Sequence, residues 1–309
     1  MGAVQVKYVD ERLLSKDLTG KTIVITGANS GIGESTALQL SKQGANVIVG
    51  CRRMTSGQKV ADACNAQSGG GKSVAMEVDL ASLDSVRTFV DTFTKSFDMC
   101  DILVNNAGIM NCPKGETKDG FELQFGTNHL GHFLLTHMMI PSLKKSVSPK
   151  VICLSSVFHD EAMGKKGVIA YDDLMFETRK YDGWSAYAQS KLANLLFARE
   201  MAKQYPEITT VSVHPGFVKS NLMKVPAVVK PVLNLMMPVL MGMIQPWEGV
   251  QTSLHAILED NLENGAYYAQ QNSPKGCVGG WPAVSPNDQV TDENAAKLWL
   301  ISENLVGLN

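Results

Sequence analysis

The chain is 309 residues long, and its 28 lysines and arginines against 30 aspartates and glutamates leave a formal net charge of −2. That balance offers no electrostatic footprint for nucleic acid and no polybasic patch for an anionic membrane, and the length suits one large α/β unit. The six cysteines (Cys51, Cys64, Cys100, Cys112, Cys153 and Cys277) include no C-x-x-C pair and no metal-ligand spacing with histidine. They are expected to be reduced thiols acting as small core hydrophobes, with no metal site. Residues 7–21 are polar, so no signal-like apolar run or membrane span precedes the first strand. Val6 stands where an acylation signal opening on Met1-Gly2 would want Ser or Thr. The expected setting is cytoplasmic, or peripheral to membranes.

In chain order, Thr22–Thr26 is a short β-branched run of the kind a buried parallel strand requires. It leads into Gly27-Ala-Asn29-Ser30-Gly31-Ile32-Gly33, then a helical pattern stopped near Gly44, then a second apolar run over residues 45–50. This is strand, Gly-rich turn, helix and strand: one βαβ unit. Glycines spaced G-x-x-x-G-x-G permit a tight turn and let the backbone approach a pyrophosphate, with the amides of the helix start facing it. A nicotinamide unit that prefers NAD carries an acidic residue near the end of the second strand. Here none occurs between Glu34 and Asp62, and the strand ends in Cys51-Arg52-Arg53. Guanidinium groups bind a phosphate bidentately, so Arg52 and Arg53 predict NADP(H).

A third strand is expected over residues 73–78, ending at Asp79-Leu80, with Ser82 capping the next helix. The fourth ends in Asn105-Asn106-Ala107-Gly108, at the carboxyl edge where open α/β sheets bind ligands. A helical region over residues 121–143 carries Asn128, His129 and His132, the imidazoles reading as core or surface residues rather than ligands. The fifth strand runs into Ser155-Ser156, and 30 residues, including a polar glycine-bearing insertion, then separate Ser156 from Tyr187. Tyr187 and Lys191 are four apart on a helix, one turn from each other. An ammonium there favours the phenolate and makes the tyrosine a usable acid or base. A sixth strand ends at His214-Pro215-Gly216, a final edge strand is expected over residues 265–269, and residues 276–286 read as loop. A last helix starts at Thr291-Asp-Glu293.

Taken together, Thr26-Gly27-x-x-x-Gly31-x-Gly33, Asn105-Asn106-Ala107-Gly108, Asn128, Ser156, Tyr187-x-x-x-Lys191 and Pro215-Gly216 resemble the short-chain dehydrogenase/reductase family, in the family's order. Cys51-Arg52, the insertion before Tyr187, the run Ser190-Lys191-Leu-Ala-Asn194-Leu-Leu-Phe197 and the ending through Trp299 are similar to its retinol-dehydrogenase-like branch. The resemblance implies a doubly wound parallel-sheet Rossmann fold with three α/β/α layers. Residues 21–309 would form a single domain after a 1–20 extension. It implies Tyr187 as general acid/base and Lys191 as the residue that lowers its pKa and holds the nicotinamide ribose. Ser156 would bond the substrate oxygen, and Asn128 would support a water leading from the lysine. The cofactor NADP(H) would meet Gly27, Asn29, Ser30, Gly31, Ile32, Gly33, Arg52, Arg53, Asp79, Leu80, Asn106, Ala107, Gly108, Tyr187, Lys191, Pro215, Gly216 and Val218. Three departures stand out. The stretch before the first strand is polar where that branch often carries an anchoring helix, Ser220 replaces a common Thr, and Arg53 replaces a common acid.

Residues 222–245 hold three prolines and five of the 15 methionines, too short and proline-broken for a membrane span. Methionine-rich surfaces adapt to irregular apolar partners. The segment is expected to be a lid over a lipophilic carbonyl or alcohol, resting on a membrane surface or, alternatively, serving as core or as a contact in a homodimer. The function that the resemblance and the residues together imply is NADP(H)-dependent interconversion of a carbonyl and an alcohol on a retinoid, sterol or long-chain aldehyde. The alternatives are a general or pathway-specific carbonyl reductase and a non-catalytic NADP(H)-binding regulator.

Overall fold

The structure is a computed structural model that describes residues 6–67, 69–218, 244–270 and 280–308. Its strands β1 (Thr22–Thr26), β2 (Asn46–Cys51), β3 (Val74–Glu77), β4 (Ile102–Asn105), β5 (Lys150–Leu154), β8 (Thr209–His214), β9 (Tyr267–Ala269) and β10 (Gly280–Ala283) form one sheet. A separate two-stranded hairpin, β6 (Glu161–Ala162) with β7 (Lys165–Lys166), lies in the insertion before Tyr187. The sheet order is β10-β9-β8-β5-β4-β1-β2-β3, parallel throughout except for β10.

The alternation of side chains along each strand explains the layers. In β1, Ile23 and Ile25 point to one hydrophobic cluster and Val24 to the other. The same division runs through Val47, Ile48 and Val49 of β2 and Ile102, Leu103 and Val104 of β4. With both faces covered, the strands need apolar residues at every position, as their continuous β-branched runs provide. One face is covered by α2 (Gly31–Lys42), α3 (Met54–Asn65) and α9 (Gln251–Leu258), the last reached through the single turn α8 (Pro246–Gly249). The other is covered by α4 (Leu83–Ser96), α6 (Gly131–Leu143), α7 (Gly183–Gln204) and α10 (Asp292–Val306). The expected three-layer α/β/α architecture is therefore what forms. The four-residue α1 (Glu11–Leu14) precedes β1, and the backbone around it is tied to the body, Leu18 N–H bonding Gln43 O at 2.8 Å.

The predicted helix starts hold. Ser82 accepts a bond from Ser85 N–H to open α4, and Thr291 accepts one from Asn294 N–H to open α10. Gln245 and Glu248 form a reciprocal capping box around α8. Helix α10 ends on Gly307 at φ +73°, the left-handed position that glycine takes at no steric cost. It closes over α6 and α7: the Trp299 ring stacks on Phe197 at 5.8 Å and meets Phe133 edge-on at 5.1 Å, while His129 and Ser302 share a 2.9 Å hydrogen bond.

Two expectations need correction. Residues 276–286 are not all loop: β10 adds an antiparallel strand, so β9 is not the sheet edge. Only Gly280 and Ala283 register with β9, and Pro282 between them lacks an N–H, a pattern tolerated at an edge and invisible as strand alternation. The helix expected from residue 121 begins with α5 (Leu123–Phe125), passes through a π-helical turn at Gly126–Leu130, and only then becomes α6. The polar insertion folds back through the β6–β7 hairpin. Of residues 222–245, only Ile244 and Gln245 fall within the described residues: Ile244 is buried and bridges to Val218.

Removing the Trp299 side chain empties the space between α6, α7 and α10. Trp299→Ala is expected to destabilise the fold by about 3–5 kcal/mol, measured as a lower denaturant midpoint at unchanged slope.

Candidate active site

The carboxyl ends of β1, β4 and β5 meet the middle of α7, and buried polar side chains make the joint. Thr26 closes β1. Its hydroxyl accepts the backbone N–H groups of Asn106 (2.9 Å) and Ala107 (3.0 Å), which fixes the loop after β4. His132 lies against the same hydroxyl at 2.8 Å through Nε2, and its Nδ1 lies 2.9 Å from the Asn128 carbonyl oxygen. A carbonyl only accepts, so Nδ1 carries the proton and Nε2 accepts from Thr26. The hydroxyl thus accepts twice and donates once. Burial pushes the His132 pKa down to about 4, so the ring stays neutral.

Asn128 sits in the π-helical turn, a feature that often marks functional sites. Its amide donates to Ile109 O and to Ser190 Oγ, both at 2.9 Å, and its oxygen accepts from Ile109 N–H. Ser190 in turn donates to the Tyr187 carbonyl at 2.8 Å. Asn128 therefore acts on the backbone around Tyr187 and on the β4 loop; among the described residues it bonds neither Lys191 nor the tyrosine hydroxyl. Thr26, His132 and Ser190 complete this network, and none of them was given a part in the site from the sequence. The one available signal was spacing, since His132 follows Asn128 by one helical turn.

Helix α7 opens on Asp182, which accepts from Ser185 N–H. It buries Tyr187 and Lys191 to 4% exposure each. The Lys191 ammonium lies 5.7 Å from the centre of the Tyr187 ring and donates to Leu154 O at 3.0 Å. Asn194 donates to the same carbonyl, and Ser155 anchors the lysine's own carbonyl at 2.8 Å. Ser156 caps a single 3-10 turn (Val157–His159), and its side chain acts on the Tyr187 phenol, favouring the phenolate. The expected lowering of the tyrosine pKa by Lys191 is not met by the protein alone. Burial prevails and pushes the phenol up to about 12, with Ser156 opposing it. Burial likewise pushes Lys191 down to about 8. Tyr187 is thus a protonated acid at neutral pH.

The remaining predicted residues line the same sheet edge. Gly27 (φ +65°) and Gly31 (φ +61°) take left-handed turns; a Cβ on Gly27 would press on Ala107 at 2.9 Å, whereas Gly31 faces open space. Ser30 is the N-cap of α2 but makes no side-chain cap bond, and Ile32 and Gly33 form the helix's first turn. Asn29 bonds Ser56 at 3.0 Å, joining the turn to the segment after β2, where Arg52 and Arg53 are exposed and make no ion pair among the described residues. Asp79 and Leu80 follow β3, and Leu80 lies under Gly131. Asn106 bonds Thr26 O at 2.6 Å. A Cβ on Gly108 would stand 3.3 Å from Asn128 Oδ1 and 3.5 Å from Lys191 Nζ, space that glycine keeps clear. Pro215 and Gly216 follow β8, and Val218 packs on Gly249. The cysteines of the described residues are free thiols, and no group of three metal-ligating side chains occurs among those residues.

Comparison with known proteins sets this arrangement in a family. The model of the short chain dehydrogenase family matches residues 21–173. Retinol dehydrogenase 12 of Bos taurus is 40% identical over 295 residues, covering 94% of this chain and 88% of that protein. Retinol dehydrogenase 14 of Homo sapiens is 39% identical over 310 residues, covering 94% and 87%. A crystal structure of an uncharacterized protein from Mycobacterium paratuberculosis superposes with a TM-score of 0.74 at 33% identity, covering 94% of this chain and 95% of that one. The chain belongs to the short-chain dehydrogenase/reductase family. It is similar to retinol dehydrogenases, and its chemistry is the oxidoreduction of alcohols and carbonyls with a nicotinamide cofactor. The residues present fit such a group. Lys191 is buried with three N–H donors and one acceptor among the described residues, and Gly108, in the loop whose Ala107 packs on the glycine turn, keeps the space before its ammonium clear. No helix among the described residues is long and apolar enough to cross a membrane.

If the cationic lysine holds the cofactor, affinity falls as pH rises through its pKa of about 8. The dissociation constant for the reduced cofactor is expected to climb between about pH 7 and about pH 9.5, followed by fluorescence titration. Lys191→Met should bind weakly at both pH values and lose the slope.

Proposed function

We propose that this chain is an NADP(H)-dependent oxidoreductase that interconverts a carbonyl and an alcohol on a lipophilic substrate, with Tyr187 as general acid and base. The observation that carries this reading is a buried tyrosine whose phenol feels Ser156, one helical turn from a buried ammonium that no carboxylate pairs among the described residues. Bound at the glycine turn, the nicotinamide cofactor supplies or accepts the hydride. Tyr187, protonated at neutral pH, donates its proton to the carbonyl oxygen during reduction and takes it back during oxidation. Ser156 donates a hydrogen bond to the same oxygen as charge develops there. Lys191 holds the ribose hydroxyls and stabilises the phenolate once the proton has left. Asn128 keeps the π-helical turn and the loop after β4 in register with the backbone at Tyr187.

Arg52 and Arg53 support the choice of NADP(H): two guanidinium groups with no ion pair among the described residues follow β2, tied to the glycine turn through Asn29 and Ser56. The lipophilic character of the substrate is supported by rings around the tyrosine. Phe158 stands edge-on to Trp184 at 5.5 Å, to Tyr187 at 6.0 Å and to Phe217 at 5.4 Å. The curated relatives it resembles carry the name retinol dehydrogenase.

Tyr187→Phe removes the transferable proton and leaves the ring. Carbonyl reduction is expected to fall by about 10²–10⁴-fold with cofactor affinity retained; turnover at the wild-type rate would refute the assignment. Arg52→Asp should move the ratio of kcat/KM values toward NADH and weaken NADPH binding. Selectivity unaltered by that charge reversal would count against a phosphate clamp at β2.

A further inference from the structure

His159 lies outside the reaction just described, yet the structure ties it to Ser156 by two bonds to one atom. The Ser156 carbonyl accepts the backbone N–H of His159 at 3.0 Å and also lies 2.5 Å from its ring Nδ1. A carbonyl oxygen cannot donate, so Nδ1 carries the ring proton and Nε2 is left as an acceptor. That acceptor meets Ser285 Oγ at 2.6 Å, and Ser285 lies in the loop between β10 and α10. The imidazole is 2% exposed and stands edge-on to Tyr267 at 5.0 Å. Burial pushes its pKa down to about 4, so it remains neutral with its proton on one side.

The same loop holds the backbone of this turn. Asn287 donates to His159 O at 2.8 Å and to Gly167 O at 2.9 Å, and Gln289 accepts from Ile169 N–H at 2.8 Å. Ser156 thus begins a turn clamped from its far side by a segment some 130 residues away. Its own hydroxyl accepts from Phe158 N–H at 3.3 Å, and from that turn its side chain lowers the pKa of the Tyr187 phenol.

We infer that His159 is a positioning residue, which fixes the Ser156 carbonyl through Nδ1–H and is itself held by the Ser285 hydroxyl, so that the loop after β10 sets the aim of the Ser156 side chain. This rests on the reading of Ser156 as the partner of the substrate oxygen. Misplacing a group at a reacting centre by about 1 Å can cost on the order of 10²-fold in rate, so a loosened turn shows in kcat rather than in cofactor binding.

Two near-isosteric variants separate the two bonds. Asparagine places an amide N–H where Nδ1 stands and keeps the bond to Ser156; glutamine reaches the position of Nε2 and keeps only Ser285. His159→Asn is expected to retain kcat within about threefold, and His159→Gln to lose at least about tenfold, both with the wild-type cofactor dissociation constant. In a Ser156→Ala background the Gln substitution should add less than about twofold, because both act through one side chain. Imidazole 15N spectroscopy of the wild-type chain should show His159 protonated at Nδ1 and bare at Nε2.

The inference is overturned by wild-type kcat in His159→Gln, by equal losses in the two variants, by an undiminished loss on the Ser156→Ala background, or by the opposite tautomer. If His159→Gln does not bind cofactor, Ser285→Ala makes the test with the ring intact, and unchanged kcat there is equally contrary. Tyr187→Phe, measured alongside, reports on the general acid itself, so a failure of that reading is distinguishable from a failure of this one.

Discussion

A lysine ammonium buried without a carboxylate partner among the described residues is the constraint on which the site depends. Desolvating a cation is costly unless its donors are met, and Lys191 has one acceptor among the described residues, the carbonyl that ends β5. That carbonyl is doubly used, by Lys191 and by Asn194, and Ser155 ties the lysine's own backbone back to the strand end. The helix carrying the lysine is thereby docked to the carboxyl edge of the sheet at a fixed height. Tyr187, one turn earlier on the same helix, is set against Ser156 by the same docking. The cost of the buried charge appears as a lysine pKa pushed down to about 8, and an occupant with hydroxyl oxygens would offset it.

A second network braces the first. Thr26, His132 and Asn128 connect the end of β1, the loop after β4 and the π-helical turn, with each donor and acceptor of the threonine hydroxyl used once. Such networks rigidify a site when fully satisfied and are costly when broken. Around it the packing is ordinary: strand residues alternate between two apolar clusters, and α10 buries Trp299 against α6 and α7. Stability of the fold and aim of the site are carried by different residues, so Trp299 and His159 should fail in different assays.

Much of this was legible in the sequence because the signals were local. Continuous β-branched runs marked β1, β2, β4 and β5, and Ser82 and Thr291 announced their helices as caps. The order of glycine turn, Asn128, Ser156, Tyr187 and Lys191 placed the site residues, which the fold then gathers at one sheet edge. What escaped was non-local. Strand β10 pairs at two positions around a proline, so no alternation reveals it. The part played by His159 depends on Ser285, distant in sequence. The tyrosine pKa was misjudged because helical spacing shows the neighbouring charge but not the burial of both groups, and burial is the larger effect.

If the cofactor completes the buried Lys191 ammonium, the titration of that lysine shows it directly. Lysine 15Nζ spectroscopy of the free chain should give Lys191 an apparent pKa of about 8, with Lys191→Met identifying the signal. Addition of saturating reduced cofactor should raise that value, because new hydrogen bonds favour the charged form. A free-chain value near the ordinary lysine pKa of about 10.4, or one that the cofactor leaves unchanged, would contradict the account.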